Sequence, residues 1–184
     1  MWCTEEEYNK IPKSKKIAWT YKQLKYIQLF CKTARLFAEM STCARLKVGA
    51  VVVKDNRIIS TGFNGVPKGF KHCDESFKGK TQYATFDQQH KEFSAKYELH
   101  AEQNAIIYAA KNGLSVDGCT LYVTTAPCSN CGKLIVNAGI KEVFYISEYD
   151  RDPNGPNILR DLGLTVHHVL GKEFMIGDIL IFDY

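Results

Sequence analysis

Beyond residue 100 the chain alternates helical and extended signals in short, regular steps, and no other feature constrains its fold as tightly. A helical run from His100 to Asn112 is closed by Gly113, a residue suited to the left-handed position that ends a helix. A strand follows from Thr120 to Thr125, then a helix from Cys128 to Ala138, a strand from Glu142 to Ser147, a helix from Asn157 to Leu162 and a strand from Thr165 to Val169. Strands separated by helices predict mainly parallel pairing with helices covering the sheet. Upstream, Lys47 to Val53 and Arg57 to Phe63 are apolar runs joined by Asp55-Asn56, a hairpin signal. The expectation is an α/β protein, a three-layer α/β/α sandwich on a mixed, roughly five-stranded sheet that begins with a hairpin.

From Thr20 to about Met40, Leu24, Ile27, Cys31, Ala34 and Ala38 recur at helical spacing, and Thr20 with Gln23 has the form of a capping box. Between Asn64 and Glu98 the periodicity stops. Gly65, Pro67, Gly69 and Gly79 lead into a polar stretch through Gln82, Gln88 and Gln89, and about 35 residues without a pattern are long for a compact domain. This insertion, about residues 65–98, therefore needs something other than a core to order it. No repeat or linker divides the 184 residues, so residues 1–184 read as one domain.

Composition removes several classes of function. Lys and Arg number 24 against 20 Asp and Glu, a net charge of +4 that is interspersed and not gathered in a tail. That argues against a nucleic-acid partner and leaves anionic small molecules open. The longest apolar run, Val48 to Val53, falls far short of the 18 or so residues of a membrane span, and Met1 to Lys16 lacks an apolar segment with a small-residue cleavage site. A cytoplasmic location is expected. Seven cysteines are an odd number, and a reducing compartment disfavours disulfides, so the useful question is which of them bind metal.

The sharpest chemical signal is His100-Ala101-Glu102 followed by Pro127-Cys128-Ser129-Asn130-Cys131. A Cys-x-x-Cys at a helix start sets two sulfurs on one face of the first turn, where free N–H groups and the helix dipole favour thiolates. His100 begins another helix, and one imidazole with two thiolates makes a three-ligand zinc site whose fourth position is open to water. Glu102 is placed to move protons between that water and a substrate. A redox pair or half of a structural zinc ribbon would explain the cysteines alone. Ordinary residue frequencies make the coincidence of both motifs roughly a one-in-several-hundred event, and a structural site has no use for Glu102.

At these residues the sequence resembles the zinc-dependent cytidine and deoxycytidylate deaminases, whose signature joins His-x-Glu to Pro-Cys-x-x-Cys. The likeness runs from about Cys43 to Tyr149 through Lys47-Val48-Gly49-Ala50-Val51-Val52, Ile58 to Pro67, His72-Cys73-Asp74, His100 to Ile106 and Leu121 to Thr125. Ala44, Ser129-Asn130 and Lys111 depart from the family's usual residues. The resemblance implies hydrolytic deamination of deoxycytidine monophosphate (dCMP) to dUMP with release of ammonia, feeding thymidylate synthesis. Water attacks C4 while Glu102 protonates N3 and then passes a proton to the departing amine. It implies Asn64, Ala126, Tyr108, Lys111 and Arg151 as substrate contacts, the last two as candidate phosphate ligands.

The same resemblance implies a second, accessory zinc on Cys43, Cys73 and His90 with His72 as a possible fourth ligand, which would order the polar insertion. It also implies an effector site at Lys47, Val48, Gly49, Thr61, Gly62, Asn64 and Gly65, with Lys68 nearby. There deoxycytidine triphosphate (dCTP) with Mg2+ activates and thymidine triphosphate (dTTP) inhibits, across the subunits of a homo-oligomer, a hexamer. Two other readings compete: a tRNA adenosine deaminase of the same fold, and a zinc-stabilised binding module without turnover.

Overall fold

The computed structural model describes residues 5–10, 19–169, 175–176 and 179–180. A short helix α1 (Glu5–Lys10) precedes the long helix α2 (Tyr21–Ala38). The expected box caps α2: Gln23 N–H donates to Thr20 Oγ1 at 3.3 Å and Thr20 N–H donates to Gln23 Oε1 at 2.8 Å. Strands β1 (Gly49–Lys54) and β2 (Arg57–Phe63) form the hairpin. Asp55 and Asn56 hold φ of 50° and 59°, the left-handed pair that lets a two-residue turn match the strand twist. Strands β3 (Thr120–Thr125), β4 (Glu142–Ser147) and β5 (Thr165–His168) complete a five-stranded sheet of order β2-β1-β3-β4-β5. β1 is antiparallel to β2 and β3, whereas β3, β4 and β5 run parallel.

Alternation through β1 divides the core. Val51 and Val53 face α2, where Leu24, Ile27, Phe30 and Ala34 pack with Tyr122 and Phe144. Ala50 and Val52 face helices α5 (Ala101–Lys111) and α6 (Ser129–Asn137), with α7 (Gly155–Asp161) beside α6. The three layers are those expected. Two glycines set the layer spacing: a Cβ on Gly49 would press into the backbone of Ala34 and Ala38, and one on Gly62 into the backbone of Ala101 and Ala105. Ser60 Oγ donating to Ala105 O at 2.6 Å and Asn104 Nδ2 donating to Phe63 O at 2.6 Å fasten α5 to β2.

The insertion is more ordered than its polarity predicts. It holds two helices, α3 (Cys73–Ser76) and α4 (Phe86–Tyr97), and a small core of Cys43, Cys73 and Phe77 with Phe86 and Phe93 packed against it. Phe86, His90, Phe93 and Tyr97 recur at helical spacing among the glutamines, the pattern hidden in that stretch. Gly65 and Leu99 close the segment by a two-way backbone bridge, N–H to O distances 3.0 and 2.9 Å. Beyond residue 169 the structure describes one two-stranded hairpin, β6 (Met175–Ile176) with β7 (Ile179–Leu180). The opening segment Met1 to Lys16 is described only at residues 5–10, and no described helix is long and apolar enough to cross a membrane.

Candidate active site

Two helix N-termini converge just beyond the C-terminal end of the central strand β3. His100 caps α5 and Cys128 caps α6, with Cys131 in the first turn of α6. His100 Nδ1 lies 3.5 Å from Cys128 Sγ and 3.3 Å from Cys131 Sγ, and Cys131 N–H points at Cys128 Sγ at 3.4 Å. The hydrogen bond from Cys131 pulls the Cys128 thiol down to about 4, while Cys131, the donor of that bond and buried, is pushed up. Contact with Cys128 raises His100 to about 9. A nitrogen and two sulfurs all within 4.8 Å of one another suit zinc, and three protein ligands leave its fourth position open. Glu102, in the first turn of α5, is 3% exposed, and burial raises its carboxyl above the ordinary range.

His100, Cys128 and Glu102 line an open cleft. Ala126, Asn64 and Arg151, all singled out in the sequence, line it. The Ala126 peptide is fixed by its N–H to Ser147 O at 2.7 Å. Asn64 is less free than a substrate ligand should be. Its Oδ1 accepts from Val48 N–H at 2.8 Å and Ser41 Oγ at 2.7 Å, and its Nδ2 donates to Leu46 O at 2.9 Å, so the amide first shapes the wall.

Other candidates lie elsewhere. Tyr108 and Lys111 are exposed on α5, about 12 and 16 Å along the helix from His100 at 1.5 Å per residue, and the structure does not bring them to the cleft. The glycines read as an effector loop also have other work here. Gly49 and Gly62 face helix backbone and not an open seat for phosphate, and the Gly65 N–H is taken by Leu99. Thr61 stands on the β2 face opposite Gly62, Val48 lines the cleft, and Lys47 and Lys68 are exposed.

A second cluster sits beside the first. Cys43, Cys73, His90 and Glu98 bring ligand atoms within 4.8 Å of one another, with His90 Nε2 3.2 Å from Cys43 Sγ and 4.0 Å from Glu98 Oε2. The Cys73 thiol holds Cys43 down to about 3 and is itself pushed up, the same sign of crowded thiols. Glu98 Oε1 is buried without a hydrogen-bond partner among the described residues, a vacancy a cation would fill. His72 is not the fourth member: it is exposed and its Nδ1 meets Thr42 Oγ1 at 3.2 Å. Sequence reasoning missed Glu98, although it stands two residues before His100, and missed Arg45 and Tyr149, which line the cleft next to residues it had named.

An open three-ligand metal seat with a buried carboxylate beside it is the arrangement of a zinc hydrolase. The profile described as cytidine and deoxycytidylate deaminase zinc-binding region matches residues 24–147. The deoxycytidylate deaminase of Enterobacteria phage T2 is 38% identical over 165 residues, covering 74% of this chain and 88% of that protein. That of Schizosaccharomyces pombe is 34% identical over 144 residues, covering 78% of this chain and 44% of that protein. The dCMP deaminase of cyanophage S-TIM5, solved in complex with dCMP and dUMP, superimposes with a TM-score of 0.64 at 38% identity over 80% of this chain and 98% of that one. The chain belongs to the cytidine and deoxycytidylate deaminase family.

Proposed function

We propose that the chain catalyses the hydrolytic deamination dCMP + H2O → dUMP + NH3. The observation that carries this reading is the buried Glu102, which lines the cleft with His100 and Cys128, beside the His100, Cys128 and Cys131 cluster. Zinc bound by those three ligands supplies the Lewis acidity that makes water nucleophilic at neutral pH. Glu102 takes the proton that water gives up as it adds to C4, delivers it to N3, and carries the next proton to the departing amine. The Ala126 carbonyl accepts from the exocyclic amine. Arg45 and Arg151 at the cleft supply positive charge for the 5′-phosphate. Ammonia release from dCMP by the zinc-loaded protein tests the reading. A faster rate on adenosine in tRNA would move it to the rival substrate class, and no turnover of either would leave the binding-module reading.

The Cys43, Cys73, His90 and Glu98 cluster is read as the seat of an accessory zinc, supported by its donor set and by the orphaned Glu98 oxygen. The product dUMP would feed thymidylate synthesis in the cytoplasm. Regulation by dCTP with Mg2+ and by dTTP in a hexamer is carried over from the family resemblance. Its physical support is the Gly65–Leu99 bridge, which ties the loop after Asn64 to the residue before His100. Sigmoidal rates against dCMP, straightened by dCTP with Mg2+ and depressed by dTTP, are expected. A hyperbola unmoved by either triphosphate removes the regulatory part and leaves the deaminase reading standing.

A further inference from the structure

We propose that Asp87, an exposed residue of the insertion, positions Arg45 and Arg151 as a pair and thereby sets the preference of the cleft for a phosphorylated substrate. The inference rests on the deaminase reading above. The three residues come from separate parts of the chain: Arg45 from the segment leading into β1, Arg151 from the segment after β4, and Asp87 from the first turn of α4. One oxygen, Asp87 Oδ1, accepts from Arg45 Nε at 3.1 Å and from Arg151 Nη2 at 3.2 Å. Two donor nitrogens that share one oxygen stand no further apart than about 6 Å, a spacing at which both guanidinium groups can reach oxygens of one phosphate.

The burial pattern is the reverse of an ordinary surface ion pair. The arginine side chains are 24% and 18% exposed, while Asp87 is 76% exposed. The long, costly side chains are therefore held in the wall, and the fixing carboxylate sits on a helix turn that favours negative charge. Two like charges side by side in a partly desolvated wall repel, and Asp87 offsets that repulsion. Arg151 has a further anchor, since its Nη2 also donates to the Asp87 carbonyl at 3.0 Å. Arg45 is held by the carboxylate through Nε, which leaves both of its Nη groups to a substrate.

The test compares the zinc-loaded parent with Asp87→Ala and Asp87→Glu on dCMP and on deoxycytidine, and measures inorganic phosphate binding to each by calorimetry. Asp87→Ala is expected to raise KM for dCMP about tenfold, to leave kcat within about twofold, and to weaken phosphate binding about as much. The kcat/KM for deoxycytidine stays at the parent value, and Asp87→Glu recovers most of the loss. A KM for dCMP that is unchanged or lowered, or an equal loss on both substrates, overturns the proposal. A parent without turnover on dCMP would count against the deaminase reading alone, because phosphate binding to parent and variant still decides the role of Asp87.

Discussion

Arg151 Nη1 lies 3.3 Å from Nδ1 of His90, whose Nε2 faces the Cys43 thiol at 3.2 Å. One guanidinium thus lines the cleft and touches the second cluster, so whatever orders that cluster also orders a wall of the substrate site.

Replacing Cys73 with Ser should lower the zinc content by about one ion per chain and loosen the insertion, since structural metal binding is coupled to local folding. Elemental analysis reads the first effect and amide exchange across residues 73–97 the second. Two zinc ions are expected in the parent. One ion in the parent would remove the accessory site.

Glu102→Gln should keep the catalytic metal and the fold while activity falls by about two to four orders of magnitude, the usual worth of a positioned proton carrier. Zinc content and turnover belong on the same preparation. A variant that turns over near the parent rate takes Glu102 out of the chemistry.

Gly62→Ala forces a methyl group against the backbone of Ala101 and Ala105, so α5 has to shift or β2 has to bend. Overpacking of this kind costs about 1–3 kcal/mol, visible as a lower urea midpoint. Activity should fall with it, because the displaced helix carries both His100 and Glu102. An unchanged midpoint would show that the two layers are not held in contact there.

Asp152 accepts from Ser129 N–H at 2.8 Å and from Ser129 Oγ at 2.8 Å, tying the loop that bears Arg151 to the first turn of α6. The Ser129 N–H holds the Asp152 carboxyl below its ordinary value. A group depressed in the folded state stabilises above its unfolded pKa and loses that contribution as pH falls through the folded one. Asp152→Asn should therefore cost about 1 kcal/mol at neutral pH, the scale of a capping contact, and the unfolding midpoints of parent and variant should converge in acid. A constant gap across that range would mean that charge is not what Asp152 contributes.

Much of this architecture was legible in the sequence. The Thr20 capping box, the Asp55-Asn56 turn and the alternating strands and helices after His100 act through near neighbours, so local pattern reveals them. His100 with Cys128-x-x-Cys131 was legible for a different reason, because the ligand types and the helix-start spacing carry the chemistry. What escaped was set by contact between distant segments. The role of Arg45 depends on Asp87, 42 residues away, and Glu98 enters its cluster only once α4 has folded. The α4 helix itself was missed because its inward stripe of Phe86, His90, Phe93 and Tyr97 is diluted by the polar residues between. Gly49 and Gly62 fell in the effector site that the resemblance implies, and only the packed helices show that their missing side chains make room for backbone.

The Gly65–Leu99 bridge makes the insertion a cassette. Everything between those two residues leaves the sheet and returns to it through one pair of backbone hydrogen bonds, and the next residue along is His100. Doubling the length of such a loop adds only about 0.6 kcal/mol of closure entropy. The segment that bears Asp87, His90 and Cys73 can therefore change in length between its packed residues while His100, Glu102, Cys128 and Cys131, all outside it, keep their places. Selectivity for the substrate's far end and the chemistry at its base are, in this chain, physically separable inheritances.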